Sequence, residues 1–296
     1  MSPRSRPKNI RASIQAAVNA EARARGKTSA QISRELAMQR LLARVFAQPA
    51  SPWVLKGGTG LLVRLPGARH SQDIDLLHPT AANLDQAIEE LRTLSQLPAG
   101  DPFTFTFTRT TTLTGIVTGV QIRAIASIGP AGFSPFSIDL STELSFVSKP
   151  ERVQPEPVIE HPELDPPPEF TLYSLPDQIA DKVCAMYEVR NSIVSTRYRD
   201  LVDLALITSK LAFEATTVTE ALEAEQQRRN LTLPDQIHSP GPGWEQGYRK
   251  IAEPIDLPEP MRQIQGALTA VGTCLNPLLS RRVATGRWDP ANQQWR

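Results

Sequence analysis

Residues 53–77 read WVLKGGTGLLVRLPGARHSQDIDLL, and the rest of the chain is organised around this stretch. A short apolar strand ends at the glycine pair that begins with Gly57, about two turns of helix follow, and a second break comes at Pro66. The next apolar run carries Asp73 and Asp75, whose side chains share one face because strand side chains alternate. Two like charges this close are costly without a cation between them. The pattern predicts a metal-dependent site for phosphate chemistry.

The composition is that of an ordinary globular protein. Of the 296 residues 40% are apolar, which is enough to bury a core in one or two domains. The two cysteines form no disulfide or zinc pattern, which indicates a reducing compartment. No apolar run approaches the roughly 20 residues that cross a bilayer, and the N-terminus lacks the apolar part of a secretory signal. We therefore expect a cytoplasmic monomer with no membrane association.

The net charge of +1 hides an uneven distribution. Residues 1–50 hold ten Lys and Arg against two Glu, whereas residues 151–170 hold six carboxylates against one Arg. From residue 278 onward there are four Arg against one Asp. Basic ends of this kind predict binding of a polyanion through part of the surface, and solvated helix faces are the alternative.

Hydrophobic periodicity predicts an α+β fold. In the first half we expect helices over residues 10–25, 28–46 and 82–94, and strands at 53–56, 73–77, 103–112, 116–128 and 136–141. Thr28 and Gln31 resemble a capping box at the start of the second helix. The second half is predicted to be helical, over residues 174–190, from 195 or 196 to 207, 216–229, 244–252 and 258–275.

A proline-rich acidic stretch separates the two halves. Residues 150–168 contain seven prolines, which exclude a helix or a central strand and leave room for one edge strand at residues 158–159. We predict N-terminal helices and a catalytic core over residues 1–150, a connection over residues 151–170, and a helical C-terminal lobe over residues 171–296.

A third aspartate, Asp139, lies in another apolar strand. Phosphoryl transfer uses two divalent ions about 3.5–4 Å apart, and magnesium prefers carboxylate oxygens. We predict that Asp73 and Asp75 bridge two Mg²⁺ ions and that Asp139 completes one of them. An Asp-x-Asp pair on a solvated strand is the alternative.

The glycine turn supplies a candidate site for phosphate. Gly57 and Gly58 allow close approach of a triphosphate to a helix N-terminus, and Thr59 adds a hydroxyl. Lys56 stands just before the turn, where it contacts the triphosphate or orients an aspartate. An ordinary β-to-α turn and a surface lysine are the alternatives. The turn is not a P-loop, because the Gly-Lys-Ser/Thr ending is absent.

These residues resemble a known family. Lys56-Gly-Gly-Thr59 followed by Ser71-Gln-Asp-Ile-Asp75 is similar to the nucleotidyltransferases of the AbiEii/AbiGii toxin family, in the DNA polymerase β-like superfamily. Lys182, and the helix that begins Arg197-Tyr-Arg-Asp-Leu-Val-Asp203, look like the downstream motifs of that family. The resemblance covers roughly residues 50–210 and extends to the mycobacterial MenT toxins, which transfer nucleotides to tRNA and block translation. It implies a polymerase β-like core, a small mixed sheet with helices, and a mainly helical C-terminal lobe.

The downstream motifs suggest roles that the residues alone leave open. Lys182 carries a point charge suited to phosphate, or else belongs to a solvated helix face. Asp200 or Asp203 would orient Lys182 or hold the nucleoside, whereas Arg197 and Asp200 are also spaced as a simple helix ion pair. Ser71 is expected to donate a hydrogen bond to a phosphate or a carboxylate.

The resemblance implies a toxin that transfers a nucleoside monophosphate from an NTP to the 3′ end of tRNA and is neutralised by a cognate antitoxin encoded beside it. Basic residues of the N-terminal helices and near the C-terminus would then follow the acceptor backbone. Transfer to a protein or small-molecule hydroxyl is a second hypothesis, and a non-catalytic binding module with the same fold is a third. We also expect that the C-terminal helices hold the nucleotide from the side opposite to the aspartates.

Overall fold

The structure, a computed structural model, describes residues 7–113, 119–143, 146–190 and 193–296. Within them it contains ten helices and eleven strands, which confirms the predicted mixture of a sheet with helices. The helices are α1 (Pro7–Ala24), α2 (Ser29–Val45), α3 (Gly57–Arg64), α4 (Leu84–Ser95), α5 (Leu175–Tyr187), α6 (Tyr198–Lys210), α7 (Ala215–Arg229), α8 (Trp244–Ala252), α9 (Glu259–Arg262) and α10 (Ile264–Leu279). The strands are β1 (Val54–Lys56), β2 (Asp73–Leu77), β3 (Phe103–Leu113), β4 (Gly119–Ile128), β5 (Ala131–Ser141), β6 (Glu151–Val153), β7 (Phe170–Leu172), β8 (Val189–Arg190), β9 (Ile193–Val194), β10 (Trp288–Asp289) and β11 (Gln294–Trp295). None of the helices in the described residues has both the length and the apolar character that a membrane crossing requires.

Seven strands form one mixed sheet in the order β3-β4-β5-β2-β1-β7-β6. β2 pairs with β5 and β1 pairs with β7 in parallel, and the other neighbours are antiparallel. The side chains of the central strands β2 and β5 alternate between the two faces of the sheet. On one face they are fully buried, and these are Ile74, Leu76, Ile138 and Leu140. Because strand side chains alternate, the aspartates of these strands occupy the other face.

The chain forms two compact units. The first comprises Met1–Pro66, His70–Ser145 and Glu151–Leu172, and it holds the seven-stranded sheet with α1 to α4. Its core is built from apolar side chains of α1, α2, α4 and the buried sheet face. The predicted capping box of α2 is confirmed, because Thr28 and Gln31 exchange hydrogen bonds between each side chain and the other's backbone N–H, at 3.2 and 2.9 Å.

The second unit comprises Gly67–Arg69, Phe146–Pro150 and Tyr173–Arg296. It holds α5 to α10 and the two short hairpins β8–β9 and β10–β11. α5 starts where predicted, after the N-cap Ser174, whose Oγ accepts from the backbone N–H of Asp177 at 3.2 Å. Near the C-terminus Trp288 is fully buried and its indole donates to the Thr208 carbonyl at 2.7 Å, which fixes β10 against the end of α6.

The strand in the proline-rich stretch is not where we predicted it. The edge strand is β6, whereas residues 158–159 form none. The Val158 N–H donates to Gln39 Oε1 and its carbonyl accepts from Arg25, so side chains of α2 and of the α1–α2 turn satisfy this backbone. Ile159 is buried in the core beside them. Prolines on both sides also remove the N–H donors that a strand ladder needs.

Helix boundaries also differ from the predictions. The helix predicted over residues 174–190 ends at Tyr187, and Val189–Arg190 form strand β8 instead. α6 begins at Tyr198 rather than at residue 195 or 196, because Ser195 Oγ donates to the Ala185 carbonyl and its own carbonyl accepts from Trp244. The last predicted helix is broken at Gln263, which has extended backbone angles, and it continues to Leu279. The predicted start of the strand at residue 116 lies outside the described residues.

Candidate active site

Four polar side chains form a row across neighbouring strands of the large sheet. Gln121 on β4 pairs with Asp139 on β5, and Asp139 pairs with Asp75 on β2. Asp75 in turn pairs with Lys56 on β1. Directly paired residues point to the same face of a sheet, and Asp73 points the same way as Asp75. The structure therefore brings Asp73, Asp75 and Asp139 onto one face, opposite the apolar core.

The turn from β1 into α3 depends on Gly57. Its φ of +61° lies in the left-handed region, and a Cβ at this position would lie 1.8 Å from Oδ2 of Asp75. Only glycine meets both conditions without strain. α3 begins at this residue, and its N-cap Lys56 makes no side-chain capping hydrogen bond. The predicted phosphate turn thus presents the positive end of a helix dipole directly beside a carboxylate.

Thr59 and Ser71 both hold Asp73. The Thr59 hydroxyl donates to the Asp73 carbonyl at 2.6 Å, and Ser71 Oγ donates to Asp73 Oδ1 at 2.9 Å. Both hydroxyl-bearing residues are buried. The proton of the Thr59 hydroxyl is therefore engaged with β2, whereas a contact between Thr59 and a triphosphate stays a prediction.

The electrostatics of the aspartate face suit a cation. Burial raises the pKa of Asp139 above its ordinary value, and the charge of Asp73 adds to this, against the lowering effect of the hydrogen bond from Gln121. Gln121 Nε2 donates to Asp139 Oδ1 at 2.9 Å. A divalent cation would relieve the repulsion between these carboxylates, and carboxylate oxygens are the ligands that Mg²⁺ prefers. The donor set fits magnesium in type and in strand placement.

The carboxylate oxygens of the three aspartates contact neighbouring residues and do not converge on a single point. In residues 7–113, 119–143, 146–190 and 193–296, no three His, Cys, Asp or Glu side chains are close enough to form a ready metal site. Ser71 and Gln121 each hold one oxygen of Asp73 and Asp139, while the Gly57 backbone packs on Asp75. Binding two ions would require side-chain rotation on an otherwise fixed sheet.

A buried ionic cluster brings the downstream motifs together within the second unit. The Lys182 ammonium on α5 donates to Asp200 Oδ1 at 3.1 Å and to Asp203 Oδ2 at 2.5 Å, both on α6. The side chains of all three residues are at most 4% exposed. Burial opposes the charge on Lys182, yet Asp203 and Asp200 outweigh it and raise the pKa of the ammonium. The alternative of a solvated helix face for Lys182 is wrong.

Two arginines flank this cluster. Arg69 donates to both carboxylate oxygens of Asp203, at 2.9 and 3.0 Å, and Arg197 Nε donates to Asp200 Oδ2 at 2.5 Å. The Arg69 side chain is 15% exposed and that of Arg197 is 58% exposed, so the charges of both arginines lie nearer to solvent than that of Lys182. The spacing of Arg197 and Asp200 as a helix ion pair is therefore observed, together with the link from Asp200 to Lys182.

Much of the basic charge near the N-terminus is used inside the first unit. Arg40 and Arg44 are almost fully buried and both pair with Asp101, at 2.7 and 2.9 Å. Lys27 pairs with Glu35, and Arg11 donates to two backbone carbonyls of β5. The prediction that these helices follow a polyanion is therefore wrong for Arg40 and Arg44, because a buried paired guanidinium is screened from a backbone phosphate.

Sequence reasoning missed the partners of the predicted residues. Gln121 was assigned no role, since its strand register against Asp139 is set by long-range pairing that a single sequence does not reveal. Arg69, an arginine in the loop before the aspartates, forms a bidentate pair with Asp203 that the sequence pattern does not predict. Its place four residues before Asp73 is the one local signal that could have singled it out.

Comparisons with known proteins identify the family and the fold. A family model described as nucleotidyl transferase AbiEii toxin, type IV TA system, matches residues 40–270, more than half of the chain. The fold is similar to that of MenT4, a nucleotidyltransferase toxin from Mycobacterium tuberculosis H37Rv, with a TM-score of 0.55 and 19% identity over 87% of this chain and 98% of that one. It is also similar to JHP933 from Helicobacter pylori, with a TM-score of 0.47 and 13% identity over 85% and 92% of the two chains. No curated protein sequence matches the chain.

Proposed function

We propose that this chain, which belongs to the AbiEii family of nucleotidyl transferase toxins of type IV toxin–antitoxin systems, transfers a nucleoside monophosphate from an NTP to the 3′ end of tRNA. The 3′-hydroxyl attacks the α-phosphorus in line, the bond to the bridging oxygen breaks, and pyrophosphate leaves. An acceptor end altered in this way cannot be charged with an amino acid, so translation stops.

The observation that carries the proposal is the row of Gln121, Asp139, Asp75 and Lys56 beside the Gly57 turn. A sheet face with three carboxylates next to a helix N-terminus supplies cation ligands and an anion site side by side. Nucleotidyl transfer needs both, because the triphosphate is bound as its complex with a divalent cation. A plain binding module has no physical need for three aspartates on one sheet face.

Each residue of the aspartate face has a role in this proposal. Asp73, Asp75 and Asp139 would hold two Mg²⁺ ions, which supply charge stabilisation to the attacking and leaving oxygens. Ser71 and Gln121 orient two of these carboxylates through the hydrogen bonds at 2.9 Å. The backbone at Gly57 and Gly58 binds the triphosphate at the start of α3, with Thr59 fixing α3 to β2. Lys56 offsets negative charge at the end of the row.

The ionic cluster has a positioning role in the proposal. Lys182 is too deeply buried to be a surface contact, and it neutralises Asp200 and Asp203. Those carboxylates hold Arg197 and Arg69, whose guanidinium groups offer the charge and the planar donors that suit phosphate. Loss of Lys182 would therefore lower activity through the arrangement of the arginines.

The biological setting follows from the family. We propose that the protein acts as a monomer in the cytoplasm, where tRNA and NTPs are found, and that an antitoxin encoded beside it neutralises it. Co-expression with the neighbouring gene, with cell growth as the measurement, tests the second point: toxicity that persists in the presence of every neighbouring gene product contradicts it.

The activity is tested by incubating the protein with each labelled NTP, Mg²⁺ and unfractionated tRNA. We expect label on tRNA, loss of labelling with EDTA, and a loss of at least about 100-fold in Asp75→Ala, since this removes a charge-stabilising ligand. Asp85→Ala, an exposed aspartate on α4, is the matched control and should retain activity. Label on protein or on a small molecule instead would favour transfer to another hydroxyl, and absence of any label would favour a binding module.

A further inference from the structure

A groove in the second unit is assigned no role by the proposed reaction. It has a volume of about 500 Å³ and lies between α10 and the segment at residues 237–239. Its floor includes the buried side chains of Ile237 and Leu268, while Thr269, Thr273 and Asn276 line it from α10. Arg282 lines it from the chain that follows α10. A volume of this order is typical of sites that hold one small ligand or one nucleotide unit.

The lining of the groove carries the positive charge of Arg282 and no negative charge. It contains neither Asp nor Glu. Asn276 Oδ1 accepts from the Ile237 N–H at 2.7 Å, which fixes the amide so that its Nδ2 is the end available for donation. Glycine at position 272 leaves room for this amide, because a Cβ there would lie 2.9 Å from Asn276 Nδ2. An anion is therefore the complementary ligand.

Arg282 is held in place by the end of α10. The Arg282 N–H donates to the Pro277 carbonyl at 2.8 Å and the Arg281 N–H donates to the Leu278 carbonyl at 2.9 Å, a Schellman pattern. Arg281 takes the left-handed position of this motif at φ +56°, where glycine is usual. Arg282 Nε also donates to Ser280 Oγ at 3.0 Å. The helix end thus fixes the backbone at Arg282, and one hydrogen bond directs its exposed side chain.

The charge of Arg282 is not neutralised by a carboxylate, in contrast to its neighbours. Arg281 pairs with Glu223, Arg287 with Glu214, and Arg296 with Asp289. Within the part of the chain that the structure describes, Arg282 has no such partner. A cation without a counter-charge, in a groove that also holds an amide donor and buried apolar side chains, is suited to a phosphate that carries an organic group.

We infer that this groove binds one phosphodiester unit of the RNA acceptor, with the phosphate on Arg282 and Asn276 and the ribose or base over Ile237 and Leu268. This inference rests on the proposed RNA substrate. A backbone contact of this kind positions an RNA without reading its sequence. An acidic peptide and a free nucleotide are the competing ligands, and each is separated in the test.

The test measures RNA binding without transfer. A fluorescently labelled single-stranded RNA oligonucleotide is titrated with the protein in the absence of NTP, and anisotropy is recorded over a series of salt concentrations. We expect Arg282→Ala to weaken binding by about tenfold near physiological salt and to reduce the slope of log K against log salt by about 0.7, the value for one lost phosphate contact on a single strand. Arg249→Ala, at an exposed paired arginine on α8 of the same unit, is the matched control and should change neither quantity.

A second variant tests the groove independently of its charge. Thr273→Trp fills the groove from an exposed position on α10, so it should weaken RNA binding and leave the salt slope unchanged. Thermal unfolding of each variant verifies that the unit is intact.

Several outcomes overturn the inference. Equal RNA affinities of Arg282→Ala and the unaltered protein would overturn it. An equal loss of affinity in Arg282→Ala and in Arg249→Ala would also overturn it. Absence of RNA binding by the unaltered protein also does so. Loss of ATP or polyglutamate binding in Arg282→Ala with RNA binding retained would assign the groove to a free nucleotide or an acidic chain. The RNA-binding measurement contains no NTP, so its result does not depend on whether the protein catalyses the proposed transfer. The inference about the groove and the proposed reaction can therefore be disproved separately.

Discussion

Gly57 is required both for its left-handed backbone conformation and for the space it leaves for Asp75. Its left-handed φ is shared with Gly26, which also has φ +61°, but a Cβ at Gly26 would meet nothing within 4 Å, whereas at Gly57 it would overlap Asp75. Gly57→Ala and Gly26→Ala should therefore each lose about 1–2 kcal/mol of stability from backbone strain. Only Gly57→Ala should also lose nucleotidyl transfer, by at least about 100-fold, because Asp75 is displaced. Urea unfolding and the labelling assay measure the two effects, and equal activity in both variants would contradict the prediction.

The Lys182 cluster predicts a strong energetic coupling. Lys182→Met should destabilise the protein by about 3 kcal/mol, since it leaves Asp200 and Asp203 buried with less compensating charge. Adding Asp200→Asn should recover part of this loss, because the exposed Arg197 is easily solvated when its partner is removed. A double-mutant cycle by urea unfolding should give a coupling of at least about 1 kcal/mol. Additive effects would show that the ammonium and the carboxylate do not act together.

Glu35 makes part of the stability of the first unit depend on pH. Burial alone would raise the pKa of its carboxyl, but the hydrogen bond from His70 and the nearby Lys27 outweigh this and lower it. A carboxyl with a lowered pKa in the folded state contributes stability above its ordinary value of 4.5, and this contribution is lost as the pH falls through the folded value. Glu35→Gln should therefore be less stable than the parent at pH 7, with a difference that shrinks below about pH 4.5. Thermal melts between pH 3 and 7 test this, and a constant difference would contradict it.

The site residues differ in how far a single sequence could reveal them. Asp73 and Asp75 share a face by strand alternation alone, so their juxtaposition is predictable from spacing. The partnership of Asp139 with Gln121 is not, because a shift of one residue in strand register would separate them. The burial of Lys182 was likewise hidden, since its charge favours a solvated face unless the two aspartates of α6 are known to lie against it.

At the scale of the elements, sequence motifs predict a helix or strand end correctly where the contacts that form it are between neighbouring residues. The capping box of α2 is such a signal, and Thr28→Ala should cost about 1 kcal/mol because Gln31 loses its acceptor. Ser29→Ala, one residue further on, makes a matched control, since no side-chain hydrogen bond of Ser29 is found in the described residues. Chemical unfolding measures both, and equal effects would argue against the capping role.

Element boundaries depend on contacts between distant residues. The break before α10 lies where the Met261 carbonyl accepts from the buried Tyr248 hydroxyl at 2.6 Å, a contact that helical periodicity does not encode. In β5 the strand begins at Ala131, five residues before our prediction, and it includes Pro135. Pro135 pairs with Ile125 on β4, but the pairing of β5 with β2 starts only at Ser137, so β5 is an edge strand on its β2 side at this position, where proline is tolerated.

At the scale of the whole molecule, each compact unit is made of several separate segments of the chain, whereas the predicted domains are continuous. Gly67–Arg69 and Phe146–Pro150 belong to the second unit although they are flanked by residues of the first, and Glu151–Leu172 belongs to the first. These short segments belong to the second unit because of tertiary contacts such as the Arg69–Asp203 pair. Composition alone therefore locates the domain boundary only to within the proline-rich stretch.

The reactivity of the two cysteines measures the opening of the second unit. Cys184 on α5 and Cys274 on α10 are fully buried, and burial raises the pKa of both thiols well above the ordinary value. We expect no reaction of the native protein with a thiol reagent over minutes, and complete reaction of two thiols in denaturant. The rate of labelling at low denaturant should therefore follow the opening of the second unit. Rapid modification of the native protein would contradict this.

The parallel pairing of β2 with β5 has a consequence for the order of synthesis. The ladder sets Asp75 directly beside Asp139, so the aspartate face cannot close until the ribosome has released the chain through Ser141. The long intervening segment must first be brought back on itself, which makes this pairing one of the slower steps of folding. A nascent chain shorter than this carries the glycine turn and two aspartates but no complete face. Fragments that end before β5 therefore lack Asp139 and cannot assemble the aspartate face.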